Sequence, residues 1–515
     1  MEGIALDGAC RWTGHGRIAY NPSTMSKQES TSTPAEQPAS RRGRAKANNS
    51  AGKNGQAGAR AEAAASLRAA DAGAPLPDEQ PVTVIRDSLY DRIPLGAAER
   101  ALIGSEPFLR LQNVKQLGFV YRIWPGATHT RYEHSLGVYY LALRALRSLL
   151  ARGADGGLSG VSSMDLRAVL LAALLHDVGH YPFSHAIEEL GYPIVPHEKV
   201  GRSIIERGPI AETLERDCGI SPGRVADLID PPRGGTLPGS DALLVRLISG
   251  ALDVDKLDYL PRDARACNVP YGGVDVSRLL GALRVGDVYG QQRLVVTQKG
   301  ISALNSLLHA RQEMFDNVYW HHTNRAQMAM LLRAVQDALL EGQAQPVDLP
   351  GLDDHSLLAL LAEERMPDST RALVEALRLR HPYKSVLEVS MRAGSFFNRL
   401  DALYWDQGRR RRVEIELASM LSEQLGHPIA PYEVLIDIPK PEKWEMEVWV
   451  RYTQPPLGMQ PLMTWVEATG QLPADLSKYE QHQRRIRIVA AELLAAELRA
   501  RGDDLLVPLV ERAVM

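Results

Sequence analysis

The sequence predicts a mainly α fold: a helical core opened by a short N-terminal hairpin and followed by a smaller α+β C-terminal part. Three observations carry this. Apolar residues recur at helical spacing through most of residues 99–425. Only a few short segments are rich in β-branched residues and bounded by turn residues, as strands are. The chain has 515 residues, 45% of them hydrophobic, enough to bury a large core in one big domain or a few smaller ones.

Taken in order, residues 1–81 form a low-complexity tail. From Ser26 to Pro81 it is rich in Ala, Gly, Ser and Gln and almost empty of large apolar residues. Such a segment cannot offset its ordering entropy, so disorder is expected. Arg41, Arg42, Arg44, Lys46 and Lys53 make it basic. It can serve as a nucleic-acid-binding tail or simply as a solvated one. Residues 1–25 differ from both neighbours, and Met25 offers an alternative start. They lack a basic stretch followed by an apolar run, so no secretory signal is expected.

Order is expected from Val82. PVTVIRDSLYDRIPLG reads as a strand or hairpin. Helical patterns follow at Glu99–Leu117, Arg131–Leu150, Asp165–Leu175, Asp241–Asp258, Ile301–Leu340, Leu357–Leu379 and Ser395–Leu425, the last broken near Gly408. Val285–Gln298 reads as a hairpin turning at Gly290. Val434–Ile438 and Glu445–Tyr452 read as two strands around a Pro-Lys turn, and Gln481–Arg501 as a final helix. The expected division is a core over 82–345 and a C-terminal region over 346–515.

Net charge is −3, which gives no global attraction to nucleic acid or to an anionic membrane. Ala168–Leu175 is far too short to span a bilayer. Cys10, Cys218 and Cys267 form no CxxC pair, as expected of a chain in a reducing cytoplasm.

One stretch points to chemistry. In ALLHDVGHYPFSH, Ala173–His185, an apolar run ends on an adjacent His-Asp pair. A buried carboxylate must be neutralised, and a divalent cation held by His176 and Asp177 would do so. An Asp–Arg ion pair, with the histidines satisfied in the core, is the other reading of this stretch alone. His134, in TRYEHSLGVYY, and Asp255, in ALDVDKLDYLPRDA, are further ligand candidates. Gly179 and Pro182 break the helix, so residues 180–197 can fold back over the pair.

PGATHTRYEHSLGV, LLHDVGHYPFSH, LDVDKLDYLPRDA and ARQEMFDNVYWHHTNR occur in that order. Together they resemble the HD-domain phosphohydrolases, and more narrowly the deoxynucleoside triphosphate triphosphohydrolases, over about Ile85–Arg325. The resemblance implies an HD-domain helical core. It implies one divalent metal per subunit (Mn, Mg, Fe or Zn) held by His134, His176, Asp177 and Asp255, with Asp253 as a structural neighbour. His197 matches the general acid, and Glu188 its orienting carboxylate, where a relative carries the shorter Asp. His180 matches a histidine near the α-phosphate, and His185 is expected to be structural. Arg131, Lys256 and Arg311 match triphosphate contacts. Tyr259 and Asp263 match the sugar-binding pair, Tyr319 a further sugar or base contact, and Gln116 and Leu117 a loop touching sugar and base. Trp320 and Phe315 replace a Gln and a His of a relative, so base preference does not carry over.

The resemblance also implies a dNTP substrate and a homo-oligomer, a tetramer, built around regulatory nucleotides. Gly104, Leu109 and Gln112 stand where a relative's guanine-binding helix has an acid, Gln and Arg, so that pocket is lost or rebuilt. Arg278, Lys299 and His321 match a second nucleotide pocket, in which Thr297 and His322 replace basic residues. Two other readings stand beside this one. They are an HD phosphohydrolase acting on a ribonucleotide or monophosphate, and a nucleic-acid-binding protein with an HD sensor core.

Overall fold

Strands Thr83–Asp87 (β1) and Asp91–Leu95 (β2) pair antiparallel, as the alternation there predicts. The computed structural model describes residues 82–158, 160–232, 239–441, 447–470 and 483–515, all within one compact unit. The expected tail over 1–81 lies outside the described residues.

The helix Arg131–Leu150 matches its predicted bounds. It packs on Ser163–Leu175, which is buried from Leu166 to Leu175 except at Arg167. That helix is apolar on every side because Arg131–Leu150, Pro222–Ile229 and Gly239–Ile248 all pack against it. Its start is fixed by Ser162, whose side chain accepts from the Asp165 N–H at 3.0 Å. The chain then turns at the His-Asp pair. The third crossing helix, Val254–Ala266, is capped by Asp253, which accepts from Lys256 N at 2.8 Å.

Several long helical patterns are broken. Glu99–Leu117 is instead Ala97–Ile103, Glu106–Leu109 and a 3₁₀ turn, split where Gly104 ends the first piece. Asp241–Asp258 splits between Ile248 and Val254, Ile301–Leu340 around a π-helical turn at Phe315–Tyr319, and Leu357–Leu379 between Leu361 and Asp368.

β3 (Leu283–Val288) and β4 (Gln291–Thr297) form the predicted hairpin, with Gly290 at positive φ in its turn. β5 is Lys384–Ser390, β6 Val434–Asp437, β7 Trp449–Arg451, β8 Leu462–Thr464 and β9 Arg485–Ala490. The two strands expected on either side of the Pro-Lys turn are β6 and β7, in different sheets: β6 pairs with β9, whereas β7 pairs parallel to β4 and antiparallel to β8. The expected helix over 481–501 is corrected too. Arg485–Ala490 is the central strand of the β5-β9-β6 sheet, and the helix begins at Glu492. RIRIVA is β-branched and buried, and sheet pairing overrides the helical composition that follows it. No described helix is long and apolar enough to cross a membrane.

Candidate active site

His134 lies in the first turn of Arg131–Leu150, His176 and Asp177 follow the end of Ser163–Leu175, and Asp255 lies in the first turn of Val254–Ala266. Three helices thus deliver four side chains to one point. Donor atoms of His134, His176 and Asp255 all lie within 4.8 Å of one another. His134 Nε2 is 3.0 Å from Asp255 Oδ1 and 3.6 Å from Asp177 Oδ2. His176 Nε2 is 3.3 Å from Asp177 Oδ1.

These residues fit a divalent cation. His176 Nδ1 donates to the Ala173 carbonyl at 2.9 Å, which leaves its Nε2 as an acceptor. That atom is buried without a hydrogen-bond partner, which is costly unless something binds it. Burial works against charge on His134, yet Asp255 and Asp258 outweigh it and push the imidazole up to about 10. The excess negative charge there is what a cation would neutralise. Half of the alternative reading also holds, since Arg131 Nη1 binds Asp177 Oδ2 at 2.5 Å. The ion pair accounts for one carboxylate oxygen; His176 Nε2 remains unsatisfied.

Behind His134 stands Asp258, which the motif reading passed over. Its Oδ2 accepts from His134 Nδ1 at 2.8 Å. Arg262 and Tyr90 hold the same carboxylate, at 2.9 and 2.7 Å. This is the carboxylate behind a ligand histidine that fixes its tautomer and raises its basicity. Gly137 admits the pair, since a Cβ there would collide with both the Asp258 carboxylate and the Arg262 guanidinium. Asp258→Asn is expected to weaken metal binding roughly 10- to 100-fold, as measured by chelator competition.

Glu188 Oε1 accepts from His197 N at 2.6 Å and lies 2.8 Å from His197 Nδ1, so the longer carboxylate reaches its expected partner. Burial raises Glu188, but His185 and His197 overcome this and hold it well below the usual carboxylate range. His197, at the start of His197–Ile205, is opposed by burial but raised by Glu188. Gly179 sets the approach of that helix: a Cβ there would strike the His197 carbonyl and Gly201 N. Gly179→Ala is therefore expected to lower turnover at least tenfold while metal content stays unchanged, read by steady-state rates and metal analysis.

The two trailing histidines differ in exposure. His180 is 1% exposed, in the interior, whereas the His185 side chain is 62% exposed and lines a cavity beside the cluster. Phe183 and Ser184 both have positive φ, 57° and 61°, and turn the chain between them. Two groups overlooked in the sequence hold this loop. Asp354 accepts from Phe183 N at 2.7 Å and Lys115 N at 3.0 Å, and Arg110 donates to the carbonyls of Val178 and His180. Neither lies in a recognisable motif, and their partners are far away in sequence.

That cavity, of about 430 Å³, brings together Gln116, Leu117, Arg131, Lys256, Tyr259, Asp263, Arg311 and Tyr319. Asp255 and Glu188 line it as well, and so do Phe315 and Trp320. Lys256 Nζ is tied to Asp253 at 2.6 Å. The π-helical turn aims Tyr319 Oη at Asp263 Oδ2, 2.7 Å away, and His129 Nε2 is 2.8 Å from the other oxygen. His129 stands in the quoted PGATHTRYEHSLGV, but nothing in that pattern tied it to Asp263. Arg278 Nε donates to the Lys299 carbonyl at 2.7 Å, while His321 packs on Trp124 and His322.

Convergent His and Asp side chains at three helix ends make a candidate metal site of the kind HD domains carry. Residues 131–234 match the HD domain and 274–500 the HD associated region, and the chain belongs to the HD-domain phosphohydrolase family. It is 32% identical over 369 residues to the protein MJ1154 of Methanocaldococcus jannaschii, covering 71% of each chain. It is 29% identical over 283 residues to the Gallus gallus deoxynucleoside triphosphate triphosphohydrolase SAMHD1, covering 50% of this chain and 45% of that protein. A phosphohydrolase structure from Bacteroides thetaiotaomicron superposes with TM-score 0.59 at 25% identity, covering 80% of this chain and all of that one. The chain thus spans less than half the length of the triphosphohydrolase relative.

Proposed function

We propose that the protein hydrolyses deoxynucleoside triphosphates to deoxynucleoside and inorganic triphosphate. The observation that carries this reading is the composition of one cavity. Asp255 of the metal cluster, the cations Lys256 and Arg311, and the Tyr259, Asp263 and Tyr319 group all line it. A triphosphate needs the first two; a sugar edge suits the third. Similarity to the SAMHD1 triphosphohydrolase supports the same substrate class.

In this reading His134, His176, Asp177 and Asp255 hold a divalent metal. Such an ion polarises phosphoryl oxygens and offsets charge as the ester bond breaks. Water adds to the α-phosphorus, the P–O5′ bond breaks, and His197 Nε2 gives its proton to the departing O5′. Glu188, accepting from Nδ1–H, orients the ring and stabilises the imidazolium whose Nε2 carries that proton. Arg311 and Lys256 bind the released triphosphate portion. Asp263, held by His129 and Tyr319, accepts from the sugar 3′-hydroxyl, and the Tyr259 ring occupies the space a 2′-hydroxyl would need.

Parallel rates with each dNTP and the matching NTP test the substrate class. The reading expects kcat/KM for the deoxynucleotide to be at least about 100-fold higher, since a crowded hydroxyl costs several kcal/mol. Equal rates on both would overturn it.

A further inference from the structure

The turn after the His-Asp pair is held from outside it. Phe183 and Ser184 both have positive φ, which residues other than glycine adopt only where their surroundings enforce it. The Phe183 ring stacks on Phe119 with centroids 4.4 Å apart, so the turn lies against the segment that follows Gln116 and Leu117. Asp354, first residue of the helix Asp354–Leu361, joins the two segments. Its Oδ1 accepts from Phe183 N at 2.7 Å and its Oδ2 from Lys115 N at 3.0 Å.

These bonds close a circuit. Ser184 Oγ donates to the Lys115 carbonyl at 2.8 Å and accepts from Arg131 Nε at 2.8 Å. Lys115 is thus gripped at both ends of its backbone, at its N–H by Asp354 and at its carbonyl by Ser184. Arg131 in turn binds Asp177. Gln116, Leu117, Arg131, Phe183 and Ser184 all line the substrate cavity, and Asp354, 5% exposed, stands behind them. Only the carboxylate form can accept from both N–H groups. An amide, or a protonated carboxyl, turns a donor toward one of them.

We propose that Asp354 is a positioning residue of the hydrolytic site and acts as the carboxylate: through Phe183 and Lys115 it fixes the Ser184 hydroxyl under Arg131 and the Gln116–Leu117 edge of the cavity. Protonation releases one of the two N–H groups and loosens the circuit, so the fold sets an acid-side limit on turnover. This rests on the reading that the cavity binds and cleaves a nucleotide. Burial pushes the Asp354 carboxyl up to about 6, against the Phe183 and Lys115 N–H groups and the Lys115 charge, while Asp353 adds to the rise. Arg110 is a further cation beside it. A carboxyl raised in the fold is disfavoured there as the anion. Stability therefore falls as pH rises from the unfolded value of about 3.9 through the folded one. Holding the charge above that range costs stability, and positioning is what the charge serves.

Asp354→Asn is a fixed mimic of the protonated acid. The ratio of wild-type to Asp354→Asn kcat/KM should be roughly tenfold or more at about pH 8 and fall toward one by about pH 5, along a single ionisation. A ratio that stays constant with pH marks a merely structural role and overturns the proposal. Amide exchange of the wild-type chain, corrected for its intrinsic pH dependence, tests the circuit without substrate or substitution. Protection of Phe183 or Lys115 should fall roughly tenfold or more between about pH 8 and about pH 5. Equal protection of both amides at the two values overturns the proposal as well. Absence of cleavage of any dNTP would overturn the hydrolysis reading and leave the exchange result standing.

Discussion

His176→Ala should purify without its metal and hydrolyse dNTPs on the order of 10³-fold more slowly than wild type. Its Nε2 is the one buried acceptor at the cluster that no protein group satisfies. Removing it deletes a ligand and disturbs little else, since Nδ1 bonds only to the backbone of its own helix. Asp177→Ala should lose metal and activity to the same degree and destabilise the fold as well. Among the described residues, Arg131, 2% exposed, would then be left as a buried cation hydrogen-bonded to Ser184, at a cost of about 3–5 kcal/mol. Metal analysis, rates and thermal unfolding of the two variants separate these effects. Metal content at the wild-type level in both would refute the ligand assignment.

His197→Gln should lower kcat by roughly 10²- to 10⁴-fold with little change in bound metal. The acid must be protonated to act, so kcat should fall as pH rises through the folded pKa of His197. Burial disfavours that charge, but Glu188 outweighs it and lifts the pKa above its ordinary value. Glu188→Gln keeps the hydrogen-bonding shape and removes the charge, so the alkaline limb should move to lower pH. An unmoved limb would show that another group is the acid. The pair should affect stability in the same sense. A raised histidine contributes fully below its unfolded pKa of about 6.5 and loses that contribution as pH rises through the folded value. The depressed Glu188 contributes above its unfolded value of about 4.3. The difference in thermal midpoint between wild type and Glu188→Gln should therefore be greatest between about pH 4.5 and 6.5.

The four metal-binding candidates were legible in the sequence because their chemistry is carried by residue type: His and Asp at helix ends, next to apolar runs that cannot tolerate an unpaired charge. Asp258 was not, although it sits in the same LDVDKLDYLPRDA motif. Its role depends on facing His134 across two helices, which spacing alone does not reveal. The exposures of His180 and His185 were not legible for a similar reason. Which of two nearby histidines turns inward is decided by the backbone at Phe183 and Ser184, neither of them a residue that advertises positive φ. In the fold, helices with an uninterrupted apolar face were found to within a residue or two. β9 was missed because its partners, β5 and β6, come from distant parts of the chain, and its own composition grades into the helix that follows.

Metal-dependent cleavage at the α-phosphorus is tested most directly by identifying the phosphorus products of a dNTP incubated with the manganese-loaded protein. Inorganic triphosphate and deoxynucleoside in equal amounts, absent in the His176→Ala reaction, is the predicted result; nucleoside diphosphate with inorganic phosphate would contradict it.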